Sequence, residues 1–144
     1  MLIAQILAGK GREVVSTRPD ATIAEVAGLL KAKRIGAVVV TDDKGKLCGI
    51  ISERDLARGL ADHGANLLQM RVGELMTPDV VTCSPEDGIG QLMQTMTERR
   101  FRHLPVVQDG EMVGIISIGD VVKHRLQELE HETSMLHDYI SGGA

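Results

Sequence analysis

Aromatic residues are nearly missing from this chain: one Phe, one Tyr and no Trp stand among 144 residues. Platforms on which single-stranded bases stack are therefore excluded, and any base bound here must lie against aliphatic side chains. Basic charge is not in excess either, since 16 Lys and Arg face 20 Asp and Glu for a formal net charge of −4. General affinity for nucleic acid needs a broad basic surface, so that class also falls away. Cysteine is limited to Cys48 and Cys83, far apart, in no Cys-x-x-Cys pair and inside strand-like apolar stretches. They read as two reduced, ordinary residues, not as a disulfide or metal framework. No apolar run approaches membrane-spanning length. Met1 to Ala8 is apolar but short, has no preceding positive segment and leads straight into Gly9-Lys10-Gly11-Arg12, which makes a poor signal peptide. The expectation is a soluble, cytoplasmic protein with no affinity for membrane or nucleic acid.

What is present is an apolar fraction of 43%, enough for one compact domain or two tightly fused halves. An internal repeat chooses the second. Val14-Val15-Ser16-Thr17-Arg18-Pro19-Asp20 matches Val80-Val81-Thr82-Cys83-Ser84-Pro85-Glu86, and Arg34-Ile35-Gly36-Ala37-Val38-Val39-Val40 matches Arg100-Phe101-Arg102-His103-Leu104-Pro105-Val106. Gly49-Ile50-Ile51-Ser52-Glu53-Arg54-Asp55 then matches Gly114-Ile115-Ile116-Ser117-Ile118-Gly119-Asp120, with a slip of one residue in the turn.

Each copy is expected to run strand, helix, strand, strand, helix. Thr22 precedes Ile23-Ala24-Glu25 as a Thr-x-x-Glu capping box, after which Ile23, Val26, Leu29 and Leu30 recur at helical spacing. Asp42-Asp43-Lys44-Gly45 marks a tight turn between strands Ala37 to Thr41 and Leu47 to Ile51, and Gln108-Asp109-Gly110 does the same between Leu104 to Val107 and Met112 to Ile116. Gly88 stands where the second copy needs its cap. The expected fold is α/β (α+β), with two pseudo-symmetric repeats packed sheet to sheet, because each alone is too small to bury its sheet. The division expected is 1–66 for the first repeat with its N-terminal segment, 67–127 for the second, and 128–144 for a C-terminal helical extension. Along that last helix Val122, Leu126, Leu129, Thr133, Leu136 and Ile140 fall at alternating spacings of four and three, the pattern of a helix that pairs with a second copy or lies along its own domain.

The hairpin of the second copy gathers chemistry. Arg102 and His103 at the start of one strand should meet Ser117 and Asp120 at the end of its antiparallel neighbour. His103, Ser117 and Asp120 have the residue types of a hydrolytic triad, but no nucleophile elbow or separate orienting acid accompanies them. His124, Glu128 and His131 lack a recognised metal spacing, and the methionines read as core filling.

The repeat, the paired Gly-x-x-Ser-x-x-Asp ends and the Arg102-His103-Leu104-Pro105-Val106 strand make the chain resemble a pair of CBS (cystathionine-β-synthase) domains, a Bateman module. It resembles most the small stand-alone bacterial type, with Ser-Glu-Arg-Asp in one copy and Ser-Ile-Gly-Asp in the other. The resemblance implies a regulatory, non-catalytic module that binds an adenine nucleotide (AMP, ADP, ATP or NAD(H)) in clefts between the copies. It also implies a homodimer and an unidentified protein effector; a constitutive adaptor without a nucleotide is the alternative. On that reading Asp55 and Asp120 accept both hydroxyls of a ribose diol. Ser52 and Ser117 offer hydroxyl and first-turn N–H groups to ribose or phosphate oxygens. Gly49 and Gly114 leave room for close backbone approach. Adenine at the Asp120 site is expected against Val14 and Val15 with Lys10 or Arg12 nearby, and at the Asp55 site against Thr77, Val80 and Val81. Arg102 and His103 stand at phosphate-contacting positions, where the first copy has Gly36 and Ala37, so Arg54 is expected to compensate there. The Asp120 site is the one expected to take a phosphorylated nucleotide.

Overall fold

The structure is a computed structural model that describes residues 2–142. By their internal contacts the residues fall into two compact units, one formed by Val14–Val81 and the other by Met1–Glu13 together with Thr82–Ala144. The first helix, α1 (Ile3–Lys10), thus belongs with the second copy of the repeat.

In the unit of Val14–Val81, strand β1 (Ser16–Thr17) leads into α2 (Ile23–Lys33). Thr22 caps this helix as its sequence requires: its hydroxyl accepts Glu25 N–H at 3.2 Å and Glu25 Oε2 accepts Thr22 N–H at 3.0 Å. Such a reciprocal cap satisfies two of the four donors that a helix start leaves open. Ile23, Val26 and Leu30 face inward and join Val38, Val40, Ile51, Leu67 and Val72 in one apolar core. The helix ends on Arg34 in the left-handed conformation, φ 55°. The hairpin of β2 (Ala37–Thr41) and β3 (Leu47–Ser52) follows, then α3 (Glu53–His63), a 3-10 segment (Gly64–Gln69) and the short α4 (Val72–Leu75). The sheet order is β1-β2-β3, with β1 parallel and β3 antiparallel to β2.

The other unit repeats the plan with α5 (Ile89–Arg99), β4 (His103–Gln108), β5 (Glu111–Ser117) and the long α6 (Ile118–Gly142). Gly88 begins α5 without a side-chain cap, and Arg100 ends it at φ 59°. The turn between the strands uses Asp109 and Gly110 at φ 53° and 80°, the paired left-handed geometry that matches hairpin twist. Both hairpins shift register at the same place, between Val40 and Thr41 and between Val106 and Val107.

One expectation is corrected here. No first strand forms in the second copy: Cys83 makes one isolated parallel bridge to Val106. The cause is Pro105. At the matching place in the first copy Val39 N–H donates to Val15 carbonyl at 3.2 Å, and proline has no N–H to give.

The units also differ from the linear division at 66/67. Ile3 N–H and Ala4 N–H of α1 donate to Asp87 and Pro85 carbonyls at 3.0 and 2.9 Å, while Val72 N–H and Gly73 N–H of α4 donate to Ala21 and Pro19 carbonyls, both at 2.9 Å. These bonds are counterparts, so α1 and α4 are equivalent elements. Each precedes one copy in sequence and closes the other, by burying Ile3, Ile6 and Leu7 or Val72. In this equivalence Leu7 corresponds to Met76, each lying against the matching glycine of its own unit.

Gly49 and Gly114, lastly, make room for neighbouring side chains of their own unit. A Cβ at Gly49 would meet Met76 Sδ at 2.5 Å and one at Gly114 would meet Leu7 Cδ2 at 2.5 Å.

Candidate ligand site

The antiparallel register sets His103 opposite Ser117, and Ile118 N–H donates to Arg102 carbonyl at 2.8 Å. The start of β4 and the junction of β5 with α6 therefore meet at one sheet edge, as the sequence predicts. Ser117 and Asp120 form a reciprocal cap on α6: Asp120 N–H donates to Ser117 Oγ at 3.1 Å and Ser117 N–H to Asp120 Oδ2 at 2.9 Å. Capping is thus one real duty of this pair. It also fixes the carboxylate at the helix start, where the helix dipole favours an anion.

A cation completes the arrangement. Lys10 Nζ, at the end of α1, lies 2.5 Å from the same Oδ2 and donates to Ile115 carbonyl at 2.8 Å. Burial by itself would raise the Asp120 pKa; the hydrogen bonds from Lys10 and from Ser117 N–H, with the Lys10 charge, outweigh it and hold the carboxyl below its ordinary 3.8. Asp120 is therefore ionised at neutral pH. Its other oxygen, Oδ1, takes no hydrogen bond from the described residues.

In the other unit Ser52 and Asp55 build the same cap, with Ser52 N–H and Oγ donating to Asp55 Oδ2 at 2.8 and 3.1 Å. No described cation sits on that carboxylate. Arg54 is exposed on α3, and Thr77 exchanges backbone hydrogen bonds with Ile50 at 2.9 and 3.0 Å. Thr77, Val80 and Val81 share the Val14–Val81 unit with Asp55. Val14 and Val15 also lie in that unit, whereas Lys10, Arg12, Arg102 and His103 lie with Asp120. Val14, Val15, Val80 and Val81 are all half-buried, and Arg12 is exposed.

Arg102 does not share the Asp120 carboxylate. It lines a groove of about 730 Å³ along α6 with Ile118, Val122, Lys123, Leu126 and Glu130. Arg99, nearby in sequence, places its guanidinium 5.8 Å from the centre of the Phe101 ring. Lys10 is thus the cation of this site. The sequence offered it only as a neighbour; Ile115, whose carbonyl holds its ammonium, carries no signal in its side chain.

Among the described residues no group of three or more His, Cys, Asp or Glu could hold a metal ion, and no helix is long and apolar enough to cross a membrane. Cys48 and Cys83 are free thiols. Burial, reinforced by the Asp87 charge, pushes the Cys83 thiol up to about 12, so it is protonated and inert at neutral pH.

The profile of the CBS domain matches residues 10–62 and 72–127. The chain is 34% identical over 149 aligned positions to CBS domain-containing protein CBSX3, mitochondrial, of Arabidopsis thaliana, covering 98% of this chain and 72% of that protein. The crystal structure of the CBS-domain containing protein ATU1752 from Agrobacterium tumefaciens is similar at 51% identity and a TM-score of 0.84, over 86% of this chain and 92% of that one. The CBS domain pair of protein MJ0100, solved in complex with 5′-methylthioadenosine and S-adenosyl-L-methionine, is similar at 26% identity and a TM-score of 0.78, over 89% of this chain and 98% of that one.

Proposed function

The chain belongs to the CBS domain family, and from that premise we propose that it is a regulatory module that senses an adenine nucleotide at Asp120. The observation that carries this reading is the capped, ionised Asp120 carboxylate with a lysine ammonium 2.5 Å away. A carboxylate with one oxygen unengaged accepts the two hydroxyls of a ribose, and an ammonium on a flexible stem suits a phosphate. That the MJ0100 pair was solved with two adenosine-containing ligands supports the class. Ser117 Oγ already accepts the Asp120 N–H, which fits binding better than nucleophilic catalysis. AMP, ADP, ATP and NAD(H) are the candidates. The free thiols fit a reducing compartment, which we take to be the cytoplasm.

The module acts as a homodimer on this reading, and ligand occupancy reaches an effector protein through conformation or dimer geometry. Support comes from α6, where Val122, Leu126, Leu129, Leu136 and Ile140 are exposed at heptad spacing, Leu126 and Leu136 by 55% and 60%. Arg125 and Glu130 flank that stripe at positions that attract each other across two parallel copies. The same stripe favours a second reading, a constitutive adaptor that dimerises without a nucleotide.

A thermal-shift titration with AMP, ADP, ATP, NAD⁺, NADH and S-adenosylmethionine separates the two. Ligand at about 100 times its dissociation constant adds roughly 2.7 kcal/mol to folding stability. The sensor reading expects stabilisation by at least one ligand, lost in Asp120→Ala; no shift with any of them at saturating concentration leaves the adaptor.

A further inference from the structure

The helix α6 outruns the helix that it repeats. It spans 25 residues, whereas α3 stops after 11, at His63, the counterpart of Glu128. Every residue of the excess from Leu129 to Ser141 is exposed. Two apolar lines run along this stretch. One is the seam of Leu129, Leu136 and Ile140 already given to the homodimer. The other holds Met135 and Tyr139, 59% and 78% exposed and one turn apart, with Glu132 continuing it at the turn before. In heptad geometry the second line lies about 100° around the helix from the seam, so a paired copy leaves it in solvent. Tyr139, the single tyrosine of the chain, is more exposed than any other large apolar side chain among the described residues.

Charge is distributed as unevenly. Residues 128–142 hold Glu128, Glu130, Glu132 and Asp138 and no Lys or Arg, a formal charge equal to the −4 of the whole chain. The helix itself gains nothing from this, since cations stabilise a last turn and the last turn of α6 has no basic residue.

We propose that the face of Glu132, Met135 and Tyr139 docks a basic amphipathic helix of the effector protein. The inference rests on the reading above, in which the module signals to an effector, and deepens it by naming that partner's chemistry. Tyrosine supplies a rigid apolar anchor with a polar tip, and methionine adapts to the side chains it meets. A partner helix with apolar residues three and four apart covers both. Lysines or arginines flanking its apolar stripe meet the carboxylates of α6 and steer the encounter. Further copies of this chain would bring like charges together on the same face.

The test titrates the full chain into a fluorescent 18-residue peptide with leucine at heptad seam positions and lysine elsewhere. Its controls are a scrambled peptide of the same composition and one with glutamate for lysine. The parent is compared with Met135→Ser, Tyr139→Ser and Glu132→Gln, each followed also by melting curve, sedimentation and the nucleotide thermal-shift titration. The lysine helix is expected to bind at least about tenfold more tightly than either control, and Tyr139→Ser to weaken it on the order of tenfold, the loss typical of an interface anchor. Glu132→Gln should weaken it less and reduce its salt dependence. Melting, sedimentation and nucleotide response should stay those of the parent. No binding of the lysine helix, or binding that ignores both Met135→Ser and Tyr139→Ser, overturns the docking face; a nucleotide shift in the same samples then leaves the sensor reading standing. If Tyr139→Ser lowers the assembly state of the chain alone, further copies cover this face and the proposal falls.

Discussion

Leu7 occupies the space that a side chain on Gly114 would fill: a Cβ there would lie 2.5 Å from Leu7 Cδ2. Leu7 is buried, so it has little room to yield. This contact keys α1 to β5, and α1 in turn delivers Lys10 to Asp120. Gly114→Ala is expected to lower stability by about 1–3 kcal/mol, the usual cost of overpacking. Leu7→Ala is expected to cost about 2–5 kcal/mol. The two should not add, because trimming Leu7 removes the atoms that the new methyl meets. Urea unfolding of both single variants and the double variant measures the coupling; strict additivity would mean that Gly114 is small for another reason.

Much of this arrangement is legible in the sequence, and the exceptions have identifiable causes. The repeat, the Thr22 cap, both hairpins and the meeting of His103 with Ser117 follow from local patterns, because caps, turns and strand pairing act over a few residues. The exchange of α1 and α4 between copies is not legible. Spacing shows that Ile3, Ile6 and Leu7 form an apolar face but not which half buries it. The loss of the second copy's first strand was open to a closer reading, since Pro105 stands where Val39 donates its N–H. At the site, the spacing puts Ser52 near Asp55 and Ser117 near Asp120 at the helix starts, but that each pair closes a reciprocal cap is read from the structure. The bond from Lys10 to Asp120 depends on where α1 docks, and that is a tertiary fact.

The starts of α2 and α5 differ at the cap, Thr22 in one and Gly88 in the other, and stability should register it. Thr22→Ala removes the hydroxyl that accepts Glu25 N–H at 3.2 Å, which is expected to cost about 1 kcal/mol. Gly88 begins α5 with φ −78° and ψ 147° and has nothing within 4 Å of a built Cβ. Gly88→Ser therefore fits without strain and is expected to add a few tenths of a kcal/mol. Chemical denaturation midpoints of the two variants should move in opposite directions from the parent.

Stability should also depend on acidity through Asp120. Its pKa is lowered in the fold because the bonds from Lys10 and Ser117 outweigh the effect of burial. A depressed carboxyl pKa contributes stability that is fully present above the unfolded value and lost as pH falls through the folded one. The stability difference between the parent and Asp120→Asn should then be constant near neutrality and shrink as pH drops below 3.8. Lys10→Met should flatten the same profile, because it removes a main cause of the lowering. Unfolding free energy followed over this pH range checks both; a difference that grows on acidification would reverse the sign and exclude the ion pair as its source.

Self-association should follow the exposed stripe of α6. Leu126 and Leu136 are 55% and 60% exposed, so Leu126→Glu and Leu136→Glu leave the buried core untouched and should melt close to the parent. A charge in the seam of two paired helices is a different matter, since it must be desolvated without a partner. Each variant is expected to weaken dimerisation by at least about tenfold, equivalent to roughly 1.4 kcal/mol, as read by sedimentation. Arg125 bonds Glu128 of its own helix at 3.2 Å, but in a parallel pair it also faces Glu130 of the second copy. Arg125→Glu alone should therefore weaken the dimer, and Arg125→Glu with Glu130→Arg should restore it, with both effects fading as salt is raised. If the double exchange fails to restore what the single one loses, the helices do not pair in parallel. Unchanged sedimentation of the leucine variants would move the dimer contact off α6 altogether.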